Sequence, residues 1–242
     1  MKSLAPLLLL GPLLALTTSG CMSGLDKTTH LPSAASFGYA ERQAAPGTLF
    51  PTDEAVLGGA NIEQILAAKV LLPKKARLVV LSFSARPTWQ SWSAELSEAE
   101  RNMEQGALGK LRQCPRVAEV SLLPSLMVPQ RQTIPYLREA AARFQAELLL
   151  VYRTDTRVYE RSRLFSMEKV KSKCVVEAIL LDVRTGIVPF SAQALQEYET
   201  KRNKQEYDVY ETMAKVEIRA HSLALEEVAE KMVRFLEATP ES

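Results

Sequence analysis

The sequence has few of the side chains that enzymes use for proton transfer and metal binding. Only two histidines occur among its 242 residues, His30 and His221. It holds no Gly-rich phosphate loop, no His-Glu-x-x-His motif and no Gly-x-Ser-x-Gly motif. His221 falls on an apolar helical stripe, where a hydrogen-bonded core histidine is more common than a catalytic base. We therefore expect no enzyme activity, no catalytic residue, no metal site and no cofactor.

The sequence also lacks a strong excess of either charge. Its 30 Lys and Arg residues stand against 28 Asp and Glu residues, which makes a formal net charge of +2 at pH 7. General binding to nucleic acid needs a clear basic excess, because Lys and Arg must neutralise phosphates. A nucleic-acid partner is therefore not expected. The hydrophobic content of 47% is ordinary for a globular chain with a core.

Long hydrophobic runs are missing after the first 20 residues, and the run within them is short. Lys2 precedes an apolar stretch from Leu4 to Leu16, about 13 residues against the roughly 20 that span a bilayer as a helix. Small and hydroxylic residues follow at positions 17–20. A basic start, a short apolar core and a small-residue cleavage region are typical of a secretory signal peptide, here residues 1–20.

This segment ends on Gly20-Cys21 and resembles the lipobox of bacterial lipoproteins, with Thr18 where that family has leucine. In that family the cysteine receives acyl chains such as palmitate and becomes the first residue of the mature chain. The resemblance implies that Cys21 attaches the chain to a membrane. Met22 stands where an aspartate would retain the protein at the inner membrane, so the resemblance implies the outer membrane, facing the periplasm. The alternative is an ordinary cleaved signal peptide.

Only three cysteines occur in the chain. If Cys21 carries lipid, Cys114 and Cys174 remain, and two thiols in an oxidising compartment can form a disulfide. The alternative is two buried free cysteines, because free cysteine is a common core residue. The sequence leaves both arrangements open.

The rest of the chain divides into a tether and one domain. Residues 21–52 are rich in Ser, Ala, Gly, Thr and Pro, which predicts a flexible tether. Residues 53–242 then form a single α/β periplasmic domain. Near its start, Ile62, Ile65 and Leu66 fall at helical spacing and predict a short helix packed on the edge of the domain.

Within the domain, short apolar runs alternate with stretches of helical periodicity. They predict an α/β (α+β) fold: a mixed sheet of about five strands in the order β-α-β-α-β, then an antiparallel hairpin and a long C-terminal helix. We expect the helices between the strands to lie on one side of the sheet. The predicted strands are 77–83, 117–128, 147–152, 174–183 and 187–198, and the predicted helices are 93–113, 133–145 and 207–238.

The predicted hairpin turn carries a pattern found in a group of bacterial envelope lipoproteins. Residues 178–186 read Ala-Ile-Leu-Leu-Asp-Val-Arg-Thr-Gly, and Asp182, Thr185 and Gly186 match the group's apolar-x-Asp-x-x-Thr-Gly turn. Residues 75–238 resemble the α/β domain shared by the curli secretion channel lipoprotein, the outer-membrane activators of penicillin-binding proteins and the N-terminal domain of the Tol-Pal translocation protein. A weaker likeness is to rhombotarget-type lipoproteins.

Members of this group work by binding, so the resemblance implies a function as well as a fold. It implies a lipid-anchored interaction or assembly module in the periplasm that binds another protein of the cell envelope. The alternative is an envelope hydrolase or a small-ligand-binding lipoprotein, whose site would be assembled from residues distant in sequence.

A basic segment is the best candidate for the partner-binding site. Residues 153–173 hold seven Lys and Arg residues against three Asp and Glu residues. If the flanking strands continue into this segment, it forms a protruding hairpin. We expect Arg157, Arg161 and Arg163 to bind an acidic partner or anionic headgroups there. The alternative is a solvated arm without a partner.

Overall fold

The computed structural model describes residues 49–50, 58–83, 94–163, 166–201 and 209–241, with the main chain alone at positions 100, 160–163, 166–168 and 209. The predicted signal peptide and nearly all of the predicted tether, including Cys21, lie outside these residues.

The described residues form a five-stranded mixed sheet with four α-helices, which confirms the predicted α/β fold. The sheet order is β2-β1-β3-β4-β5. Strand β1 is parallel to β2 and to β3, whereas β3, β4 and β5 are antiparallel to one another in turn. The elements are α1 Gly59–Ala67, β1 Ala76–Ser82, α2 Ala94–Gln113, β2 Val117–Leu122, α3 Ile134–Arg143, β3 Leu148–Arg163, β4 Ser166–Asp182, β5 Phe190–Lys201 and α4 Val209–Ala238.

The helices lie on both faces of the sheet, so the prediction of helices on one side was wrong. Leu78 and Val80 of β1 pack in the core that contains α2 and α4, whereas the intervening Val79 packs in the core that contains α3. The reason is the strand order. The chain moves from β1 to one neighbour and then returns across β1 to the other, and two right-handed crossovers in opposite directions place their helices on opposite faces.

Three predicted strands differ by more than five residues from the observed ones; one is the fourth, which was expected to begin at Cys174 but begins at Ser166. The second was expected to reach Val128 but ends at Leu122, and Ser125–Met127 form a 3-10 turn behind Pro124. It is an edge strand, as Pro124 predicted, because proline cannot donate to a ladder. The third was expected to end at Tyr152 but continues for eleven residues to Arg163.

The long third and fourth strands form a protruding hairpin. Their pairing runs from Leu148 opposite Asp182 to Arg163 opposite Ser166. Thr, Val and Tyr alternate with charged residues along its far half, a composition that suits a half-buried pleated surface. We call residues 153–163, 166–177 and 193–201 the arm, because Arg153, Glu177 and Gln193 are in register across the three strands.

Helix α4 supports the whole length of this sheet. Val216, Ala220, Ala224 and Val228 recur at intervals of four residues on its buried side, and the small alanines let the helix approach the strands closely. Near its C-terminal end, the ring of Phe235 lies 5.0 Å from that of Phe190. No helix within the described residues is both long enough and apolar enough to cross a membrane.

The hairpin turn between β4 and β5 has the predicted geometry. Gly186 adopts a φ of +77°, in the region that favours glycine. The carboxylate of Asp182 accepts a hydrogen bond from the Arg184 amide at 2.9 Å and another from the Thr185 hydroxyl at 2.7 Å. Arg138 of α3 also donates to the carbonyl oxygens of Val183 and Arg184. The motif that carried the family resemblance is therefore a structural turn.

Helix α1 is not packed on the edge of the domain, so that prediction was wrong. All nine of its residues are solvent-exposed, including Ile62, Ile65 and Leu66. The apolar spacing predicted the helix correctly, because periodicity depends on local sequence alone. It could not show whether the domain offers a surface for those side chains.

Candidate interaction surface

The arm has one face covered by α4 and one face open to solvent. Side chains alternate between the two faces along each strand. Helix α3, which covers the open side of the sheet near the turn, packs on Leu149 and Val151 of β3 and reaches no residue of the arm in that core. We call the open face the arm surface; its charged side chains are Arg153, Asp155, Arg157, Lys169, Lys171, Lys173, Glu177, Glu197, Glu199 and Lys201.

Ion pairs connect the strands across the arm surface. Lys171 Nζ lies 2.5 Å from Glu197 Oε2, and Lys173 Nζ lies 3.6 Å from Glu197 Oε1. Lys169 Nζ is 2.5 Å from Glu199 Oε1. The hydrogen bond to Glu197 raises the pKa of Lys171, and the same bond lowers the pKa of Glu197. Both groups are therefore charged at neutral pH.

The β5 glutamates change the expected character of this surface. Glu197 and Glu199 neutralise lysines of the segment 153–173, which was predicted to be a basic surface. The arm surface therefore carries charges of both signs. The sequence contained a signal for this. If residues of the two strands are paired outward from the turn at equal distances from Thr185, Lys173 falls opposite Glu197 and Lys171 opposite Glu199. This is the register observed.

The predicted partner-binding arginines all lie on β3. Arg157 is exposed, stands opposite Lys173 in register and has its Nη2 3.8 Å from Asp155 Oδ2. The main chain of Arg161 pairs with Lys169, and that of Arg163 pairs with Ser166. The side chains of Arg161 and Arg163 lie outside the described part. Their role in binding stays a prediction.

Nearer the turn, a second group of polar side chains continues the arm surface. Arg153 places Nε 2.7 Å and Nη2 2.6 Å from Glu177 Oε2. Glu177 also accepts a hydrogen bond from the side-chain amide of Gln193 at 3.3 Å. The three residues come from three different strands, so they join the arm from one side to the other.

Beneath the arm, the face covered by α4 is partly polar. Thr154 Oγ1 lies 2.9 Å from His221 Nε2, and the Thr156 hydroxyl donates to Cys174 Sγ at 3.5 Å. Ser172 is fully buried, and its hydroxyl has no hydrogen-bond partner among the described residues. His221 is a buried core histidine, as expected from the sequence. Burial lowers its pKa to about 4, so it is neutral at pH 7.

Glu217 lies on α4 one turn before His221 and was not singled out from the sequence. Burial raises the pKa of its carboxyl group to about 7. Its charge also raises the pKa of the Cys174 thiol, although burial is the main reason that this pKa is about 11. The sequence did contain a signal for this buried carboxyl group, because Glu217 falls among the apolar residues on the buried side of α4.

The two remaining cysteines are free and buried within the described part of the chain. The sequence left open a disulfide or two buried free cysteines, and the structure has the two free cysteines. Cys114 accepts a hydrogen bond from the Val117 amide at the start of β2, whereas Cys174 is in β4. The strands β1 and β3 separate β2 from β4, a spacing of about 14 Å, and a disulfide needs Cα atoms within about 7 Å.

The described residues enclose little space inside the domain. A hollow of about 20 Å³ lies between α2, α4 and the sheet, lined mainly by apolar side chains such as Leu108, Leu150 and Val228. It has room for about one water molecule. An open cleft of about 370 Å³ lies between α2 and α4, beside Lys110 and Glu230, which form an ion pair with each other.

Comparisons with known proteins found similarity to several solved structures. No family model and no curated protein matches this chain. Among solved structures, the PelC dodecamer from Paraburkholderia phytofirmans is 16% identical, with 67% of this chain and 94% of that chain covered and a TM-score of 0.33. A minor lipoprotein from Acinetobacter baumannii is 11% identical, with 72% and 98% covered and a TM-score of 0.30.

The LpoB C-terminal domain from Salmonella enterica is 13% identical, with 55% of this chain and 90% of that chain covered and a TM-score of 0.27. The chain is thus similar to solved lipoprotein structures, as the sequence-based resemblance predicted. Likenesses this distant carry no information about a partner or an activity.

Proposed function

We propose that this chain is a lipid-anchored interaction module of the bacterial cell envelope, and that it binds a partner protein through the arm surface. The observation that supports this proposal most directly is the arm itself. Three strands project beyond α3, α4 supports them from behind, and their open face carries paired side chains of both charges. A supported flat surface of this kind is suited to recognition by another protein.

The charges of the arm surface are better suited to recognition than to stability. Exposed ion pairs such as Lys171–Glu197 contribute little to folding, because water and salt screen them. Exchanging them for pairs with a partner therefore costs the fold little. Complementary charge patterns also speed association and exclude wrong partners. We infer a partner that presents acidic groups to β3 and β4 and basic groups to Glu197 and Glu199.

The proposed anchor would place this surface near a membrane. Cys21, by its lipobox resemblance, would carry the acyl chains at the outer membrane, facing the periplasm. A tether of about 30 flexible residues has a root-mean-square span of roughly 30 Å. That span would let the arm reach a partner beyond the lipid headgroups. Replacing Cys21 with serine should abolish incorporation of labelled palmitate and release the chain from membranes; unchanged labelling would contradict the anchor.

A charge exchange tests the arm surface without removing its ion pairs. In the double variant Arg153→Glu with Glu177→Arg, the two residues stay opposite each other in register and can still pair, so the melting temperature should stay near that of the parent. Binding of a partner that recognises the sign of these charges should be lost. The measurement is crosslinking in intact cells from a photoreactive residue at position 157, with capture compared between the parent and the exchange variant.

The control is the same photoreactive residue at Arg219, which is exposed on the opposite side of α4. It should give no shared product with position 157. The triple charge reversal of Arg157, Arg161 and Arg163, measured with the photoreactive residue at the exposed Tyr159 instead of position 157, should also weaken capture, more strongly at low salt. If both sets of variants crosslink at parental levels, the arm is only a solvated hairpin.

A further inference from the structure

The segment before β1 exposes five large apolar side chains that are close together in the chain. Ile62, Ile65, Leu66, Val70 and Leu71 are all exposed within ten positions, and Leu66 is 80% exposed. A single exposed leucine is ordinary, but a continuous group marks a surface that something covers. We call residues 59–75 the α1 segment.

The apolar side chains of the α1 segment have basic neighbours. Lys69, Lys74 and Lys75 are exposed, and Glu63 is the one acidic residue between positions 59 and 75. The three lysines follow the end of α1 at Ala67, and apolar residues with lysines close by in the chain are typical of segments that lie in the interface of an anionic membrane. An apolar protein groove would not need the lysines, so the charge favours lipid.

The position of the segment in the chain favours the same occupant. At its C-terminal end, the Leu72 amide donates to the Pro240 carbonyl oxygen at 3.2 Å, and Arg116 Nη2 donates to the Leu72 carbonyl oxygen at 3.4 Å. These bonds fix residue 72 to the domain while α1 itself remains exposed. On its N-terminal side, the chain leads back to the predicted anchor at Cys21.

We propose that the α1 segment is a membrane-contact site: its apolar side chains enter the headgroup region and its three lysines bind anionic lipid headgroups. This contact would hold the domain in one orientation on the bilayer, with residue 72 close to the surface. The inference goes beyond the arm surface, because it concerns a different part of the molecule and a lipid instead of a protein.

The test uses the chain from residue 21 with Cys21→Ser, held by an N-terminal histidine tag on vesicles that contain nickel-chelating lipid. A failure of the predicted acylation therefore leaves the test intact. An environment-sensitive fluorophore is attached at Leu66→Cys. The native Cys114 and Cys174 are buried and should not react. The matched control is Leu126→Cys, because Leu126 is 98% exposed and lies outside the α1 segment.

On vesicles of phosphatidylethanolamine and phosphatidylglycerol, a lipid-borne quencher should reduce emission from position 66 by about half and leave position 126 nearly unchanged. Replacing Lys69, Lys74 and Lys75 with glutamine should remove most of that quenching, and so should phosphatidylcholine vesicles. The control triple variant Arg131→Gln, Arg184→Gln and Arg219→Gln removes the same amount of charge elsewhere on the domain. This control should keep the quenching at position 66.

Equal quenching at positions 66 and 126 would overturn the proposal. So would a blue shift at position 66 that appears without vesicles and grows with protein concentration, because a second copy would then cover the segment. Quenching that persists in the lysine variant on phosphatidylcholine would overturn the role of anionic headgroups.

Discussion

The sheet has two regions that share strands β3 and β4 but differ in what covers them. Near the Gly186 turn, both faces are buried, and neighbouring residues such as Leu148 and Leu149 both belong to cores. In the arm, one face is buried and the other is solvated, so Thr154 is followed by the exposed Asp155. In both regions, successive side chains along a strand point to opposite faces of the sheet. The presence or absence of α3 decides whether the second face must be apolar.

The buried face differs between the two regions as well. Over the turn-proximal strands, α4 contributes apolar residues such as Val228, Met232 and Leu236. Over the arm it contributes the apolar Met213 and Val216, and also His221, which contacts Thr154, and Glu217, whose charge acts on Cys174. Apolar burial contributes to both contacts, and the contact over the arm also depends on protonation. The arm is therefore expected to be the less stable region.

The largest expected effect is a difference in the free energy of unfolding between two leucine substitutions, one in each region. Leu149→Ala removes a fully buried side chain and should lower the free energy of unfolding by about 2–5 kcal/mol, because it leaves a cavity. Leu195→Ala, on the exposed face of β5, should change it by less than about 0.5 kcal/mol. Urea denaturation of the two variants measures both values. Similar losses would show that the arm surface is covered in solution.

The turn that joins the two strands should be the next most sensitive position. Gly186→Val places a side chain at φ +77°, and its Cβ would lie 2.9 Å from Arg138 Nη1. We expect a loss of about 2 kcal/mol, from backbone strain and from displacement of Arg138. Gly109→Ala is the control, because its Cβ meets nothing within 4 Å and alanine favours the interior of α2. A parental melting temperature for Gly186→Val would contradict this account of the turn.

Glu217 should make the stability of the arm-facing part of α4 depend on pH. Its pKa is about 7 in the fold, above the usual value of 4.5. The unfolded chain therefore ionises first, and stability should fall as pH rises from about 4.5 to 7, by on the order of 1–3 kcal/mol. Glu217→Gln should leave stability at pH 4.5 near the parental value and raise it at pH 8. Glu237→Gln, exposed on the same helix, is the control.

The variant-minus-parent difference isolates Glu217, because His221 titrates in both proteins. The pKa of His221 is lowered to about 4, so its own effect is a loss of stability as pH falls below about 6.5. A difference between Glu217→Gln and the parent that stays constant from pH 4.5 to 8 would exclude a titrating Glu217.

The smallest expected effect concerns the ion pairs of the arm surface. Lys171→Ala and Glu197→Ala should each leave stability close to the parental value, and the double-mutant cycle should give a small coupling that salt weakens. Thermal unfolding at low and high salt measures this coupling. A large coupling that salt leaves unchanged would mean that the pair is needed for folding, which would weaken its assignment to recognition.

Local chemistry allowed several elements to be predicted from sequence. Helix α2 and the C-terminal helix α4 follow from apolar spacing, and the turn follows from Asp182, Thr185 and Gly186. Strand β3 was cut short at Tyr152 because an apolar run was expected to end there. The far half of the strand is held by pairing with β4, and its alternating charges look like those of a loop until that pairing is known.

The sequence by itself determined the period of each element and the residues that need a special backbone geometry, because both depend on neighbours a few positions apart. Only the tertiary structure decided which faces are covered. It placed α3 opposite α2, brought Glu197 against Lys171 and left α1 in solvent. These outcomes depend on contacts between residues distant in sequence, and periodicity specifies a face without specifying what packs on it.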